Sequence, residues 1–268
     1  MSSPGQVRDG AACAVARARW DALYALYVYL PVSGAARSVR RLSRALRGRA
    51  EANPTRLPQS AWTDVLPSAP VRLIETEKRD GNVNLSEVAI LAEAASSVPP
   101  GSEIIEIGTF DGRTALNLAV NAPAGVAIVT LDLPADQTTA FPIEASERQY
   151  VEKPSSGDRL RSCHPRWRAS ADRVVQLFGD SATYDWSPHY SRAGLVFVDG
   201  SHTYDYARGD SETAMRLVRP GGVVLWHDYG VWPGVTRALE ELEASRNLGL
   251  RRIRGTSLVF WRAPAGPD

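Results

Sequence analysis

Five apolar runs of strand length each lead into an acidic residue. EIIEI (103–107) carries Glu106 and runs into a loop with Asp111. VAIVTL (126–131) ends at Asp132, and VVQLF (174–178) at Gly179-Asp180-Ser181. GLVFV (194–198) ends at Asp199-Gly200-Ser201-His202, and GVVLW (222–226) at His227-Asp228-Tyr229. A buried strand gains nothing from ending in a carboxylate, so acids repeated at strand ends mark a place for chemistry. Two carboxylates packed together without a cation would drive one pKa upward at real cost. A divalent ion removes that cost. Asp199, Asp228 and the imidazole of His227 form a donor set for Mg, Mn, Fe(II) or Zn, and the nitrogen tilts the choice away from pure Mg. His227 has two other readings: a partner that orients Asp228, or a base.

The elements that position these acids follow from the pattern. Near-continuous apolar runs alternate with helical stretches at 112–121, 203–218 and 233–246, which predicts a parallel sheet covered on both faces. In such sheets ligands bind beyond the carboxyl ends of the strands, where strand order reverses. LRRIR and TSLVFW, separated by a short Gly255-containing turn, predict an antiparallel hairpin at a sheet edge. Ahead of the first run, NLSEVAILAEAASSVPPG reads as a helix stopped by Pro99-Pro100-Gly101. Gly108 and Gly112 let the backbone turn tightly and approach a ligand. Their spacing is not GxGxxG, and a pyrophosphate would avoid Glu106. That acid suits a ligand with a cationic or hydroxyl-bearing group. Asp132 stands where an acidic side chain usually holds a ribose diol.

Composition narrows the class. The chain has 268 residues and a net charge of +1, which gives no case for nucleic acid. Cys13 and Cys163 make no disulfide framework and no zinc motif, in keeping with a reducing cytosol. No run reaches the ~18–20 apolar residues of a membrane span, so a cytoplasmic protein is expected. Lysine occurs only at 78 and 153 against many arginines, which reads as coding bias. Residues 1–70 are distinct. Nine arginines precede residue 50, and the stretch 35–50 reads as a basic amphipathic helix or a solvated tail. Residues 20–50 could thus contact an anionic membrane surface or a partner. Pro54, Pro58, Pro67 and Pro70 punctuate a linker. The expected organisation is a helical N-terminal extension over 1–70 and an α/β domain over 71–268.

Taken together, EIIEIGTFDGRTALNLA, VTLDLP, LFGDSA, LVFVDGSHTYDY and VRPGGVVLWHDY resemble the class I S-adenosylmethionine-dependent methyltransferases. More narrowly they are similar to the metal-dependent small-molecule O-methyltransferases, of catechol and caffeoyl-CoA type and of bacterial natural-product sugars. The resemblance covers residues 71–263. It implies a Rossmann-like, doubly wound, mostly parallel seven-stranded sheet, with S-adenosyl-L-methionine and a divalent metal (Mg or Mn) as cofactors. Glu106, Gly108, Thr109 and Gly112 would line the methionine and ribose, Asp132 would hold the ribose hydroxyls, and Asp180 and Ser181 would sit by the adenine. Asn82 falls where the lead-in closes over the cofactor. Asp199 matches the first metal ligand, and His227-Asp228 stands in place of the family's Asp-Asn pair. His202 occupies the position of the family's lysine base; its bland reading is a helix N-terminal residue packed under Tyr204 or Tyr206.

The expected partner is a small-molecule hydroxyl acceptor, and a homo-oligomer is compatible with the sequence. Three competing readings stand beside this one: a metal-independent O- or N-methyltransferase with His202 or His227 as base, a nicotinamide oxidoreductase, and an idle docking scaffold. His164, His189 and the arginine-rich stretch 159–168 read as solvated surface.

Overall fold

The computed structural model describes residues 55–266, so the reading of residues 20–50 as a basic helix lies outside the described residues. An eight-stranded sheet runs β1 (Gln59–Ser60), β2 (Glu103–Ile107), β3 (Ala127–Asp132), β4 (Val174–Phe178), β5 (Ala193–Val198), β6 (Val218–Trp226), β7 (Arg251–Ile253) and β8 (Val259–Arg262) in chain order. Seven described α-helices accompany it: α1 (Leu85–Ser96), α2 (Arg113–Asn121), α3 (Arg148–Val151), α4 (Asp158–Ser162), α5 (Arg168–Ala171), α6 (Tyr204–Leu217) and α7 (Pro233–Arg246). The spatial order is β1-β7-β8-β6-β5-β2-β3-β4. Every pairing is parallel except β6 with β8 and β7 with β8. The expected doubly wound sheet with its C-terminal hairpin is present. Its eighth strand, β1, is too short to leave a pattern in the sequence.

Side-chain alternation sorts the core into two layers. Ile105, Ile107, Val129, Leu131, Val196 and Val198 face α6 and α7, packing with Ala207, Ala214, Val235 and Leu239. Ile104, Ile128, Leu195 and Phe197 face the other way, onto Val88, Leu91 and Ala95 of α1 and Leu118 of α2. The strands are apolar on both sides because helices cover both sides. Strand order reverses between β2 and β5, and their carboxyl ends meet there: the Asp199 N–H donates to the Ile107 carbonyl at 2.8 Å. Gly108 has φ +103°, and a Cβ on it would run into the Asp199 carbonyl, so only glycine fits.

The lead-in is clamped to one face of α2. Asn117 exchanges two hydrogen bonds with the backbone of Ile74 (both 3.0 Å), and Asn121, one turn on, does the same with Arg72 (both 2.8 Å). Arg113, one turn earlier, donates to the carbonyls of Glu75 at 2.6 Å and Val83 at 2.8 Å. This ladder at i, i+4 and i+8 delivers α1 to the carboxyl end of the sheet. The domain also starts earlier than the expected residue 71. The compact unit holding the sheet runs Asn53–Asp268. Tyr229 Oη accepts from the backbone N–H of Arg56 (3.0 Å) and Leu57 (3.1 Å), and β1 pairs with β7. Prolines punctuate this stretch, but they do not detach it.

Candidate active site

Beyond the ends of β5 and β6 the sequence-expected residues come together. The His227 N–H donates to the Val198 carbonyl at 3.0 Å, which sets the two strand ends side by side. His227 Nδ1 lies 2.9 Å from Asp199 Oδ1 and 3.3 Å from Asp228 Oδ2, and His202 Nε2 lies 2.9 Å from the same Asp228 oxygen. Asp228 holds the left-handed conformation at φ +65°, which aspartate tolerates better than most residues. The His202 ring stacks on the Trp232 indole, with centroids 4.5 Å apart and planes 6° from parallel. A Cβ at Gly234 would strike the His202 carbonyl, so α7 starts flush against that loop.

Two buried glutamates that sequence reasoning missed complete the cluster. Glu87 Oε2 lies 3.3 Å from His227 Nε2, while its Oε1 accepts from the Ser257 N–H at 2.7 Å and hydroxyl at 2.8 Å. Glu147 Oε2 lies 3.0 Å from His202 Nδ1. Each imidazole is therefore held between carboxylates. Burial alone would depress the His202 imidazole, but its bonds to Asp228 and Glu147 outweigh that and push its pKa up to about 9. Burial likewise opposes charge on His227, and the charges of Asp199 and Asp228 overcome it. The reciprocal effect falls on the acids. Burial would raise Glu87, yet its hydrogen bond to His227 and that imidazole's charge pull it down to about 2. Asp228 is held below the usual carboxylate range against its burial by the His227 charge and the His202 hydrogen bond.

The donor set fits a divalent ion. One atom each from Asp199, His202 and Asp228 lies within 4.8 Å of the others. An ion bound about 2.1 Å from its ligands places neighbouring donors about 3 Å apart, and the donor contacts here run from 2.9 to 3.3 Å. Metal-bound histidines usually give their other nitrogen to a carboxylate, as His227 does to Glu87 and His202 to Glu147. His202, expected as a base, thus stands among the ligand candidates, and His227 stands beside them.

On the other half of the sheet the expected cofactor residues occupy the ends of β2, β3 and β4. Glu106 is fully buried: Oε2 accepts from the Thr130 hydroxyl at 2.6 Å, and Oε1 has no partner. Burial pushes this carboxyl well up, and only the Thr130 bond and not the nearby charges of Asp199, Asp132 and Asp111 opposes the rise. An orphaned, buried acceptor at this strand end fits a ligand bearing a cation or an N–H donor. Thr109 Oγ1 lies 2.7 Å from Thr130 Oγ1, and Gly112 opens α2 at φ +85°. Asp132 accepts from Lys153 Nζ at 2.8 Å and Ser156 Oγ at 2.6 Å. Lys153, which reads as coding bias in the sequence, forms a buried ion pair. Asp180 accepts from the Ala140 N–H and the Tyr206 hydroxyl, both at 2.6 Å. Ser181 bonds Asp210 through its hydroxyl. Asn82 donates to Asp111 at 3.1 Å, and Asp111 also takes Arg159 Nε at 2.8 Å.

Arg159 is buried at 4% exposure, so the arginine-rich stretch is not wholly solvated. His189 also departs from the surface reading, since its Nδ1 lies 2.8 Å from Glu103. His164 is exposed as expected. Of the missed residues, Glu87 had a signal: Asn84 and Glu87 form a capping box, spaced as such motifs are. Glu147, Lys153 and Trp232 had none.

Residues 105–229 match the model of a family described as a methyltransferase domain, just under half of the 268-residue chain. The structure of the O-methyltransferase NovP aligns with a TM-score of 0.51 at 16% identity, covering 68% of this chain and 81% of that one. The O-methyltransferase TomG from Streptomyces achromogenes, solved with its S-adenosylmethionine, aligns at 19% identity over 72% of this chain and 93% of that one, TM-score 0.48. An O-methyltransferase from Bacillus cereus aligns at 16% identity over 90% and 94%, TM-score 0.44. No curated protein matches the sequence. The fold is similar to that of NovP, and residues 105–229 are similar to the methyltransferase domain family. The matched residues run from Ile105 to Tyr229 and so take in all five acid-bearing strand ends.

Proposed function

We propose that this enzyme moves a methyl group from S-adenosylmethionine to a hydroxyl of a small molecule, with a divalent ion such as Mg or Mn held by Asp199, Asp228 and the imidazole of His227. The observation that carries the reading is the cluster of two imidazoles among four carboxylates, set where strand order reverses and beside the orphaned Glu106. When bound, the ion supplies Lewis acidity that lowers the pKa of an acceptor hydroxyl. Glu106 and Thr109 line the cofactor end, and Asp132 offers its carboxylate to the ribose. Glu87 and Glu147 keep the two rings turned inward. His202 Nε2 then holds or releases the acceptor proton. Alignment of the attacking oxygen with the methyl supplies much of the rate.

A second reading has its own support. Asp199 and Asp228 both lie against His227 Nδ1, at 2.9 and 3.3 Å, which suits a metal-independent transfer, to oxygen or nitrogen, with His202 or His227 as base. Calorimetric titration with S-adenosylmethionine, in Mn and then in EDTA, separates the two. A Mn-dependent heat that vanishes in Asp228→Ala supports the metal. Equal cofactor binding in both buffers, with no heat for Mn, supports the second reading. No cofactor binding in either buffer would sink both.

No helix among the described residues is long and apolar enough to cross a membrane. The free, buried Cys163 is in keeping with the proposed cytoplasmic setting. The reading of residues 20–50 as a membrane- or partner-contacting segment is tested by vesicle flotation with and without residues 1–50.

A further inference from the structure

The segment between β3 and α4 crosses the carboxyl ends of the strands. Its Ala140 N–H reaches Asp180, its Lys153 and Ser156 reach Asp132, and between them its Glu147 reaches the loop after β5. Glu147 is fully buried and accepts four hydrogen bonds. Oε2 takes the His202 backbone N–H at 2.6 Å and faces His202 Nδ1 at 3.0 Å. Oε1 takes the Ser201 hydroxyl and the Glu144 N–H, both at 3.1 Å. The other sides of the His202 ring are equally confined, by Asp228 at Nε2 and by Trp232 on its face.

We propose that Glu147 is a positioning residue for His202: it keeps the proton of Nδ1 on the side of the crossing segment and so commits Nε2 to the Asp199–Asp228 pair. A carboxylate has only acceptor positions. The ring nitrogen facing it must carry a proton, and a flip of the imidazole would break this bond and the Asp228 contact together. Any work done by His202 therefore falls to Nε2. The crossing segment also holds Asp132 and Asp180, so it ties the cofactor half of the sheet to the orientation of this ring. The inference rests on the methyl-transfer reading only in giving the inward nitrogen a task.

Proton NMR of full-length protein carrying 15N-labelled histidine tests it without cofactor, metal or acceptor. The His202 ring N–H bonded to Glu147 should give a low-field resonance, identified by its loss in His202→Gln. In Glu147→Gln the acceptor facing Nδ1 and the His202 N–H becomes a neutral amide oxygen, and that resonance should move upfield or disappear. The backbone amide spectrum and the affinity for S-adenosylhomocysteine should stay within about twofold of wild type. If Glu147→Gln does not fold, Glu147→Asp draws the carboxylate back and should shift the same resonance. An unchanged His202 resonance in a folded variant overturns the proposal, as does a wild-type ring whose Nδ1 carries no proton. Failure of S-adenosylhomocysteine to bind wild-type protein would count against the methyl-transfer reading while leaving the His202 result readable.

Discussion

Glu106 at the end of β2 and Glu147 in the crossing segment are the same residue type, both fully buried, and their pKa values are pushed in opposite directions. Glu106 has one donor and an orphaned oxygen, and its pKa is driven up. Glu147 meets four donors and lies beside His202. Burial alone would raise it, but the His202 bonds bring it below its ordinary value. Asp210 on α6 is an intermediate case. Ser181 gives it one hydroxyl bond and Oδ2 has no partner, and burial pushes it up to about 7. Donor number, more than depth, sets the direction in which a buried acid is pushed here. The acid with an unpartnered oxygen can take a further donor from a ligand, while the saturated one can only hold what it already holds.

Removing the donors' partner should cost most. Glu147→Ala removes a buried carboxylate and strands its four donors, and urea denaturation should show a loss of about 3–5 kcal/mol, the range for breaking a buried charged network. A loss below about 1 kcal/mol would mean that the four bonds do not add up to a fixed anion. Next is the pH dependence of Asp210. Its folded pKa is raised, so the native state keeps a proton that the unfolded chain gives up. Wild-type stability should therefore fall as pH rises from about 4 to about 7, by on the order of 4 kcal/mol at most. Asp210→Asn should gain on wild type across that window and hold a constant advantage above it. Thermal melts at pH 5 and pH 8 decide this, and an advantage that does not grow would remove Asp210 from the series.

Glu106→Gln should sharpen the contrast in the other direction. The amide mimics a protonated carboxyl, so stability at pH 5 should change little, whereas affinity for S-adenosylmethionine should fall about tenfold, or about 1.4 kcal/mol. An equal loss of stability would show that the side chain is ionised in the free protein. The smallest effect is expected from Trp232→Leu, which removes the stack on His202 for about 0.5–1.5 kcal/mol beyond the area lost. It should also broaden the His202 ring resonances.

The sheet was legible because its strands are buried on both faces and so read as unbroken apolar runs. The acids after those runs stood out for the same reason: Asp132, Asp180, Asp199 and Asp228 interrupt an apolar pattern. Partners supplied from irregular chain left no such trace. Glu147 and Lys153 lie in a stretch without periodicity, and their contacts reach 55 and 21 residues along the chain. Trp232 looked like any loop aromatic, since its role depends on where α7 begins. His227 and His202 were found, but their common environment was not, because each is balanced by a glutamate distant in sequence.

β1 is only two residues long, yet it closes one side of the sheet. The Arg252 N–H donates to the Pro58 carbonyl and the Arg254 N–H to the Ser60 carbonyl, both at 2.9 Å. A protein begun at residue 71 would leave β7 as a bare edge with these amides unpaired, next to the apolar Ile253 and Val259. Exposed edges of that kind recruit strands from other molecules. Such a truncation should be prone to self-association even though every candidate active-site residue is retained.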